Sequence, residues 1–312
     1  PQERFANGLW RCRWRQAPFA QEQMHAGWLR PDSVEAEGFA EARQVADEIA
    51  ALDLQSGGGK AEVAIIFDYP SAWAWEIQPQ GKEFDYFRLV FDFYRSLRRL
   101  GLSIDIVPAT TDSLSDYRLV LAPGLFAWND ELRTALAGYE GTVLIGPRSG
   151  SKTPDFSIPK NMPPDLAEGL PGLVVSRIET LPADVPLAVE GGGTLKFWRE
   201  FIEPGEAEVL IAAHDGWPVL VRHGSLNYLA GWPDDLLMRR ILERLAAEAG
   251  IATTLLPEGV RVRRDGRQLF AVNYGDQPCD LAAFGMEGQS TPKAFSCPLP
   301  GANCARSRSR RC

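Results

Sequence analysis

The chain has 312 residues, of which 45% are hydrophobic and 24% are charged, and its formal net charge is -8 at pH 7. This composition is typical of a folded globular protein, and no apolar run approaches the roughly 18 residues that a membrane-spanning helix needs. The acidic balance argues against nucleic-acid binding, because a protein that neutralises phosphates needs a basic face. We therefore expect neither a membrane nor a nucleic acid as a partner.

The five cysteines are unevenly placed: Cys12 is followed by a long gap, and the other four are Cys279, Cys297, Cys304 and Cys312. No two of them have the C-x-x-C spacing of zinc ligands, so we expect no metal site within this chain. A disulfide framework is also a poor match for an α/β chain of this size. Reduced thiols in the cytoplasm are the expectation.

Residues 1–55 read as one strand, a long loop and one helix. The strand is expected at Gly8–Trp14, a polar loop follows as far as His25, and apolar residues at helical spacing predict a helix over Gly38–Leu52. Three such elements cannot bury their apolar faces alone. We therefore expect them to be the last strand–loop–helix unit of a larger domain. Leu54–Lys60 is a linker by its glycine and serine content.

Residues 61–250 have the pattern of an α/β domain. A buried strand at Val63–Phe67 is followed by strands and helices in alternation, at 83–100 (helix), 103–107, 118–122, 129–139 (helix) and 142–146. The first helix carries one apolar stripe, made of Phe84, Phe87, Val90, Phe91, Tyr94 and Leu97. The alternation predicts a mostly parallel sheet with helices on both faces, in a flavodoxin-like or Rossmann-like layout.

The rest of the chain is less regular. A loop at 147–172 precedes β-like stretches, which we place at Val174–Ile178, Thr194–Phe201, Glu208–Ala212 and Val219–Arg222, and a helix at Asp234–Ala249. A strand–turn–strand pattern at 260–272 predicts the start of a small antiparallel β domain over 251–285. No periodicity is found from Met286, and residues 286–312 are expected to be a disordered or out-of-frame tail, the alternative being a genuine basic tail.

The sequence does not support any of three kinds of active site that are common in folds of this class. The stretch Asp68–Glu76 after the first strand lacks the glycines of a dinucleotide site, and Gly146–Lys152 is misspaced for a phosphate loop. No cysteine lies between positions 13 and 278, so His214 and His223 have no thiol to activate in an amidotransferase-like site. Packing against other subunits is the role that remains for this domain.

Two stretches carry a resemblance to a known family. Arg13–His25 resembles the segment after the last barrel strand in the glycoside hydrolase family 42 β-galactosidases. Glu62–Tyr69, continued by Trp73–Glu76, resembles the opening of that family's trimerisation domain, as do Tyr94–Gly101 and Gly146–Lys152 later in the chain. The similarity runs from about residue 6 to residue 280 and keeps the order of the parts.

The resemblance implies a homotrimeric enzyme that cleaves terminal β-D-galactosyl residues with retention. It implies that residues 1–55 end a (β/α)₈ barrel, that 61–250 form an amidotransferase-like trimerisation domain, and that 251–285 begin a small β-sandwich. Both catalytic glutamates of the family lie on earlier barrel strands, so this chain is expected to carry neither and to be inactive alone. The family's zinc site lies there too, and no cofactor is expected here.

The same resemblance implies that Glu22 and His25 hydrogen-bond galactose hydroxyls. From the residues alone, solvated loop positions are the alternative for both, and two ligands are too few for a metal. Trp14 is expected either to form a wall of the sugar site or to pack in a core. Cys12 stands where the family has an aromatic residue. The alternative function for the whole chain is that of a non-catalytic oligomerisation or interaction module.

Overall fold

The computed structural model describes residues 14–19, 21, 23, 25–51, 60–110, 114–166, 168–265, 268–284, 289–290 and 294–296. Glu22, Cys12, most of the strand expected at 8–14 and most of the linker therefore lie outside the described residues, as do residues 297–312. The described part of the chain forms two compact units, one comprising the residues up to Ala51 and the other beginning at Lys60.

The first unit contains one long helix, α1 (Phe39–Ala51), which agrees with the helix expected at 38–52. Ahead of it the chain folds back on itself through single β-bridges, a parallel one between Arg15 and Leu29 and an antiparallel one between Leu29 and Glu35. The backbone N–H of Leu29 donates to the carbonyl of Trp14 at 2.8 Å, and that of Gln16 donates to the carbonyl of Leu29 at 2.9 Å. These two hydrogen bonds hold together the two ends of the intervening loop, which are Trp14–Gln16 and Leu29.

The elements of the second unit follow in chain order. Its helices are α2 (Tyr69–Ile77), α3 (Tyr86–Arg99), α4 (Asp130–Ala137) and α5 (Asp235–Glu248). Its longer strands are β1 (Val63–Phe67), β2 (Ile104–Pro108), β3 (Leu119–Ala122), β4 (Thr142–Ile145), β5 (Val174–Thr180), β7 (Thr194–Glu203), β8 (Glu208–Ala212), β9 (Pro218–His223), β10 (Leu226–Leu229), β12 (Val260–Asp265) and β13 (Gln268–Asn273). Its short strands are β6 (Leu187–Ala188), β11 (Gly231–Pro233), β14 (Cys279–Asp280), β15 (Gln289–Ser290) and β16 (Ala294–Ser296).

The main sheet has seven strands in the order β2-β1-β3-β4-β10-β9-β8. The first five are parallel, with Val63 of β1 in register with Ile104 of β2 and Leu119 of β3. The last two, β9 and β8, continue the sheet in antiparallel fashion. The predicted α/β fold is therefore confirmed as a mixed sheet, in which a hairpin extends a parallel core.

Helices cover both faces of this sheet, as the alternating pattern predicts. Val63 and Ile65 of β1 belong to a core that includes α2, α3 and α5, whereas the intervening Ala64 and Ile66 belong to the core on the opposite face with α4. All four side chains are fully buried. Because successive residues of a strand point to opposite faces, an uninterrupted apolar strand is what a sheet buried on both sides requires.

Smaller sheets complete the unit. One has the order β11-β7-β5, with β6 paired to β7, so the β-like stretches at 174–178 and 194–201 form a layer apart from the main sheet. The strands expected at 260–263 and 269–272 are neighbours in a three-stranded sheet with the order β12-β13-β16. The strands β15 and β16 lie beyond residue 285, where the sequence shows no periodicity.

The helix α2 and the strand β10 are among the elements that were not predicted from the sequence. The helix α2 begins with Asp68 as its N-cap, whose carboxylate accepts from the backbone N–H of Ser71 at 2.8 Å, and a proline occupies its first turn. These are ordinary start signals for a helix. They are easily overlooked in a segment of nine residues that contains two tryptophans. The strand β10 is short, and its pairing to β4 places it inside the main sheet.

The stripe expected on α3 is wrong at two positions. The buried side chains of this helix are Tyr86, Leu89, Val90, Phe93 and Leu97, whereas Phe87 and Phe91 are more than half exposed. The helix carries aromatic residues on two faces, and only one of them packs on the sheet. Among the described residues, no helix is both long enough and apolar enough to cross a membrane.

Candidate functional site

The residues expected at a sugar-binding edge lie in the first unit. Trp14 is 66% exposed, and its ring meets that of Phe39 edge-on with 6.1 Å between the ring centroids. The rest of the indole is therefore open to solvent in this unit. The carbonyl of Trp14 is fixed by the bond from Leu29.

The loop that carries the other two predicted residues is tied at its base. The side-chain amide of Gln16 donates to the carbonyl of Gln23 at 2.8 Å, and the neighbouring Ala17 is buried. His25 lies just after this tie and is exposed. Glu22 lies outside the described residues, so its distance from His25 and from Trp14 stays a prediction. Trp14 precedes the tie in the chain and His25 follows it, and a sugar site formed by these residues stays a prediction.

In the second unit, the turn after β4 has the sequence Gly146-Pro147-Arg148-Ser149-Gly150. Its glycine-x-residue-x-glycine spacing is that of a nucleophile elbow, in which a strained residue stands between two glycines. Arg148 at the centre has φ 63°, a value that non-glycine residues seldom adopt. A Cβ at Gly146 would lie 2.9 Å from Cα of Pro123, so the neighbouring backbone demands a glycine there. An arginine therefore occupies the position of the nucleophile.

The Arg148 side chain is turned inward. Its guanidinium carbon lies within 5.5 Å of the centroids of four aromatic rings, those of Trp75, Phe84, Phe126 and Trp198. One terminal nitrogen, Nη2, donates to the carbonyl of Gln78 at 2.9 Å. Burial lowers the pKa of Arg148 to about 10. The guanidinium thus fills an aromatic cage, where its charge is balanced by the electron-rich ring faces and by a nearby carboxylate.

That carboxylate belongs to Glu200 of β7. Its Oε1 accepts from the backbone N–H of Arg148 at 2.8 Å and from the indole Nε1 of Trp198 at 3.1 Å, while its Oε2 accepts from the hydroxyl of Tyr228 at 2.6 Å. Burial raises the pKa of Glu200, and the hydrogen bond from Tyr228 opposes part of that rise. Burial likewise raises the pKa of Tyr228.

This arrangement is suited to fixing the turn and not to catalysis. Ser149 is fully buried, and its hydroxyl donates back to the carbonyl of Gly146 at 2.8 Å. Arg148 and Ser149 are thus both withdrawn from any substrate, and the elbow presents no nucleophile. His223 contacts the carbonyl of Gly169 through Nδ1 at 3.1 Å. No group of three potential metal ligands occurs among the described side chains.

A second feature of this unit is a surface that we call the aromatic ridge, formed by Tyr69, Trp73 and Ile77 of α2 with Phe87 and Phe91 of α3. Each of these side chains is between 53% and 68% exposed. The spacings of four residues place them along one face of each helix. The ring of Tyr69 lies 6.3 Å from that of Trp73 and 6.2 Å from that of Phe87, measured between centroids, so the two helices share one surface.

The partly buried Phe67, the last residue of β1, lies against the ridge. Its ring centroid is 5.0 Å from that of Tyr69 and 5.2 Å from that of Phe87. Because Phe67 also packs against the main core, the ridge is fixed to the sheet.

Sequence reasoning missed both features of the second unit. The glycine spacing of 146–150 is a usable signal for the elbow, although this stretch was interpreted from the sequence as a misspaced phosphate loop and as part of the family resemblance. Nothing local identifies Glu200 as its partner, since 52 residues separate it from Arg148. The ridge had a signal in the spacing of Tyr69, Trp73 and Ile77, which only becomes visible once α2 is recognised as a helix.

Comparison with known proteins agrees with this architecture. A family model described as the β-galactosidase trimerisation domain matches residues 61–252. A β-galactosidase of Thermus thermophilus is 48% identical over 274 residues, which cover 87% of this chain and 42% of that protein. The β-galactosidase BgaH of Haloferax lucentense is 35% identical over 306 residues, which cover 91% of this chain and 45% of that protein.

Solved structures show the same partial match. The crystal structure of the β-galactosidase from the psychrophilic Marinomonas ef1 has a TM-score of 0.79 and 42% identity, covering 86% of this chain and 42% of that one. The β-galactosidase of the Antarctic haloarchaeon Halorubrum lacusprofundi has a TM-score of 0.80 and 29% identity, and the match covers 93% of this chain and 47% of that one. The chain thus spans less than half the length of these relatives. It belongs to the glycoside hydrolase family 42 β-galactosidases.

Proposed function

We propose that this chain is the part of a retaining β-galactosidase that assembles the homotrimer and supplies one edge of the sugar site. The observation that carries the proposal is the match of the trimerisation-domain model to residues 61–252, in a chain whose relatives are named β-galactosidases. The five parallel strands in the order β2-β1-β3-β4-β10 support the finer assignment of a flavodoxin-like, amidotransferase-like domain.

In the proposed reaction a terminal β-D-galactosyl residue is removed with retention. That chemistry needs one carboxyl group as acid and base and a second as nucleophile, about 5 Å apart. We place both glutamates on barrel strands that this chain does not include. Residues 1–55 would form the end of that barrel, and residues 251–285 would begin a β-sandwich.

The residues of this chain would act by holding the sugar. An exposed indole such as that of Trp14 offers a flat apolar face to a pyranose ring. His25 and Glu22, on the loop tied by Gln16, would hydrogen-bond galactose hydroxyls and fix their direction. No cofactor, metal or nucleic acid enters this proposal, and the cytoplasm is the proposed location because the cysteines suggest no disulfide framework.

Light scattering and a chromogenic assay on one purified sample test the proposal. A monomer has a mass of 34.5 kDa, and we expect three times that value together with no hydrolysis of a chromogenic β-galactoside. Robust hydrolysis would disprove the absence of the catalytic pair. A monomeric mass would disprove the assembly role.

The second candidate is a non-catalytic oligomerisation module with no sugar site. This candidate needs only the α/β domain, in which the buried Arg148 and Ser149 leave the elbow without an exposed nucleophile. The two candidates differ in binding: only the first requires this chain, or an assembly that contains it, to bind galactose through Trp14 and His25. Isothermal titration with galactose separates them.

A further inference from the structure

The aromatic ridge groups five exposed apolar side chains of α2 and α3 in the second unit, and the rings of Tyr69, Trp73 and Phe87 are in contact. Single apolar residues scattered over a protein surface are common, but a contiguous group of them indicates a binding surface. A side chain of this type covers about 150–250 Å² when fully buried, so five of them at somewhat more than half exposure present on the order of 500 Å². A stable protein interface buries about 800 Å² on each partner. The ridge therefore has the area of an interface core.

We propose that the aromatic ridge is the surface by which one copy of this chain docks onto the next in the trimer. The inference rests on the proposed trimeric function and adds the location of the contact. The matched family model ends at residue 252, and the ridge lies wholly inside it. Its composition also matches the core of an interface, which is rich in Trp, Tyr and Phe and poor in charge.

The ridge contains no charged side chain, so a second copy meets it without placing like charges in contact. The net charge of -8 on each copy opposes association at long range, and the apolar contact has to outweigh it. The five ridge side chains are aromatic or aliphatic. The same net charge disfavours an anionic lipid surface. A ridge fixed to the sheet through Phe67 also needs little ordering on binding, which preserves affinity.

The symmetry of a ring determines what the ridge meets. In a closed trimer each contact is heterologous, so the ridge of one copy lies against a different surface of its neighbour, not against another ridge. Each protomer contributes one ridge, and the assembly has three equivalent contacts. One substitution on the ridge therefore weakens all three contacts together.

The test compares full-length variants by light scattering over a dilution series. Trp73→Lys and Phe87→Lys place a charge on the ridge, one on each helix, and each is expected to raise the concentration for half-dissociation at least tenfold. Tyr274→Lys is the matched control, because Tyr274 is an equally exposed aromatic residue outside the ridge. At every dilution, the mass of the Tyr274→Lys variant is expected to equal that of the unchanged chain.

Circular dichroism shows whether each variant is folded. If Trp73→Lys loses its helical signal, Ile77→Gln replaces it, since Ile77 is the last residue of α2 and is 68% exposed. Folded ridge variants that remain trimeric would overturn the docking assignment and leave the proposed function standing. Equal dissociation of Tyr274→Lys would also overturn it. A chain that is monomeric before any substitution would refute both the trimer and the ridge contact.

Discussion

Glu200 of β7 accepts a hydrogen bond at 2.8 Å from the backbone N–H of Arg148, the central residue of the turn after β4. The bond joins the main sheet to the smaller sheet. It holds Arg148 at φ 63°, because the carboxylate fixes the direction in which the peptide group points. Tyr228 of β10 holds the other carboxylate oxygen at 2.6 Å, so three elements meet at one buried charge.

Replacing Tyr228 with Phe should destabilise the protein in a way that depends on pH. Below about pH 4.5, Glu200 is protonated in the folded and unfolded chains, and the loss is that of a neutral hydrogen bond, about 1 kcal/mol. As the pH rises through the raised pKa of Glu200, the buried carboxylate lacks its donor and the loss grows to about 2–3 kcal/mol. Urea unfolding of both proteins at several pH values measures this loss of unfolding free energy.

The sign of this pH dependence follows from the direction in which the pKa of Glu200 is shifted. Because the pKa of Glu200 is raised in the folded chain, its contribution to stability is present at low pH and is lost as pH increases. Tyr139→Phe is the control, since that hydroxyl donates to the carbonyl of Tyr117 and to no carboxylate. A loss for Tyr228→Phe that is the same at every pH would contradict the prediction.

Arg148→Ala should cost about 3–5 kcal/mol of unfolding free energy. The substitution empties the aromatic cage and removes the cation nearest to the buried carboxylate of Glu200. Arg177→Ala is the comparison, because the Arg177 guanidinium also lies over a ring, at 3.7 Å from the centroid of Phe201, but is exposed. Its cost should be about 0.5–1 kcal/mol. Similar costs for both would mean that the cage adds nothing to stability.

Gly150→Ala should destabilise the chain by more than about 3 kcal/mol. Gly150 has φ 60°, and an added Cβ would lie 2.7 Å from the carbonyl carbon of Pro164. Gly216→Ala separates the two effects, because Gly216 has φ 85° with no atom within 4 Å of its Cβ position. Conformational strain alone should cost about 1–2 kcal/mol there. Thermal unfolding of both variants would show the difference, and an equal shift in melting temperature would rule out the close contact.

Asp234→Ala should lower stability by about 2 kcal/mol. The Asp234 carboxylate caps α5 by accepting from the backbone N–H of Leu237 at 2.8 Å, and it also accepts from the backbone and hydroxyl of Thr194 at 3.0 Å. Asp235→Ala is matched in residue type and helix, but Asp235 forms an exposed ion pair with Arg95 at 3.5 Å and is not the N-cap. That change should cost a few tenths of a kcal/mol. Guanidinium unfolding of the two variants tests the contrast.

Trp14→Ala should weaken galactose binding about threefold to tenfold if the first unit supplies a sugar wall, because one stacking contact is lost. Titration calorimetry on the chain measures the affinity. Phe19→Ala serves as the control, since Phe19 is 75% exposed in the same unit. Unchanged affinity in Trp14→Ala would remove this residue from the proposed site.

The sequence by itself determined the elements whose physical signals are local. The uninterrupted apolar run of Val63–Phe67 requires a strand buried on both faces, and the helices at 83–100 and 234–249 have apolar stripes of helical period. The motifs at 13–25 and 62–76 also led to the family. These conclusions depend on patterns within a few residues of one another.

Only the tertiary structure decided which side chains meet and which face of a helix is covered. Phe87 and Phe91 could not be assigned to the surface from their spacing, because α3 is aromatic on two sides and the sheet selects one. The pairing of Arg148 with Glu200 depends on the approach of two sheets, and the joining of α2 to α3 depends on Phe67 at the end of β1. Such contacts join residues distant in the chain, so no local pattern encodes them.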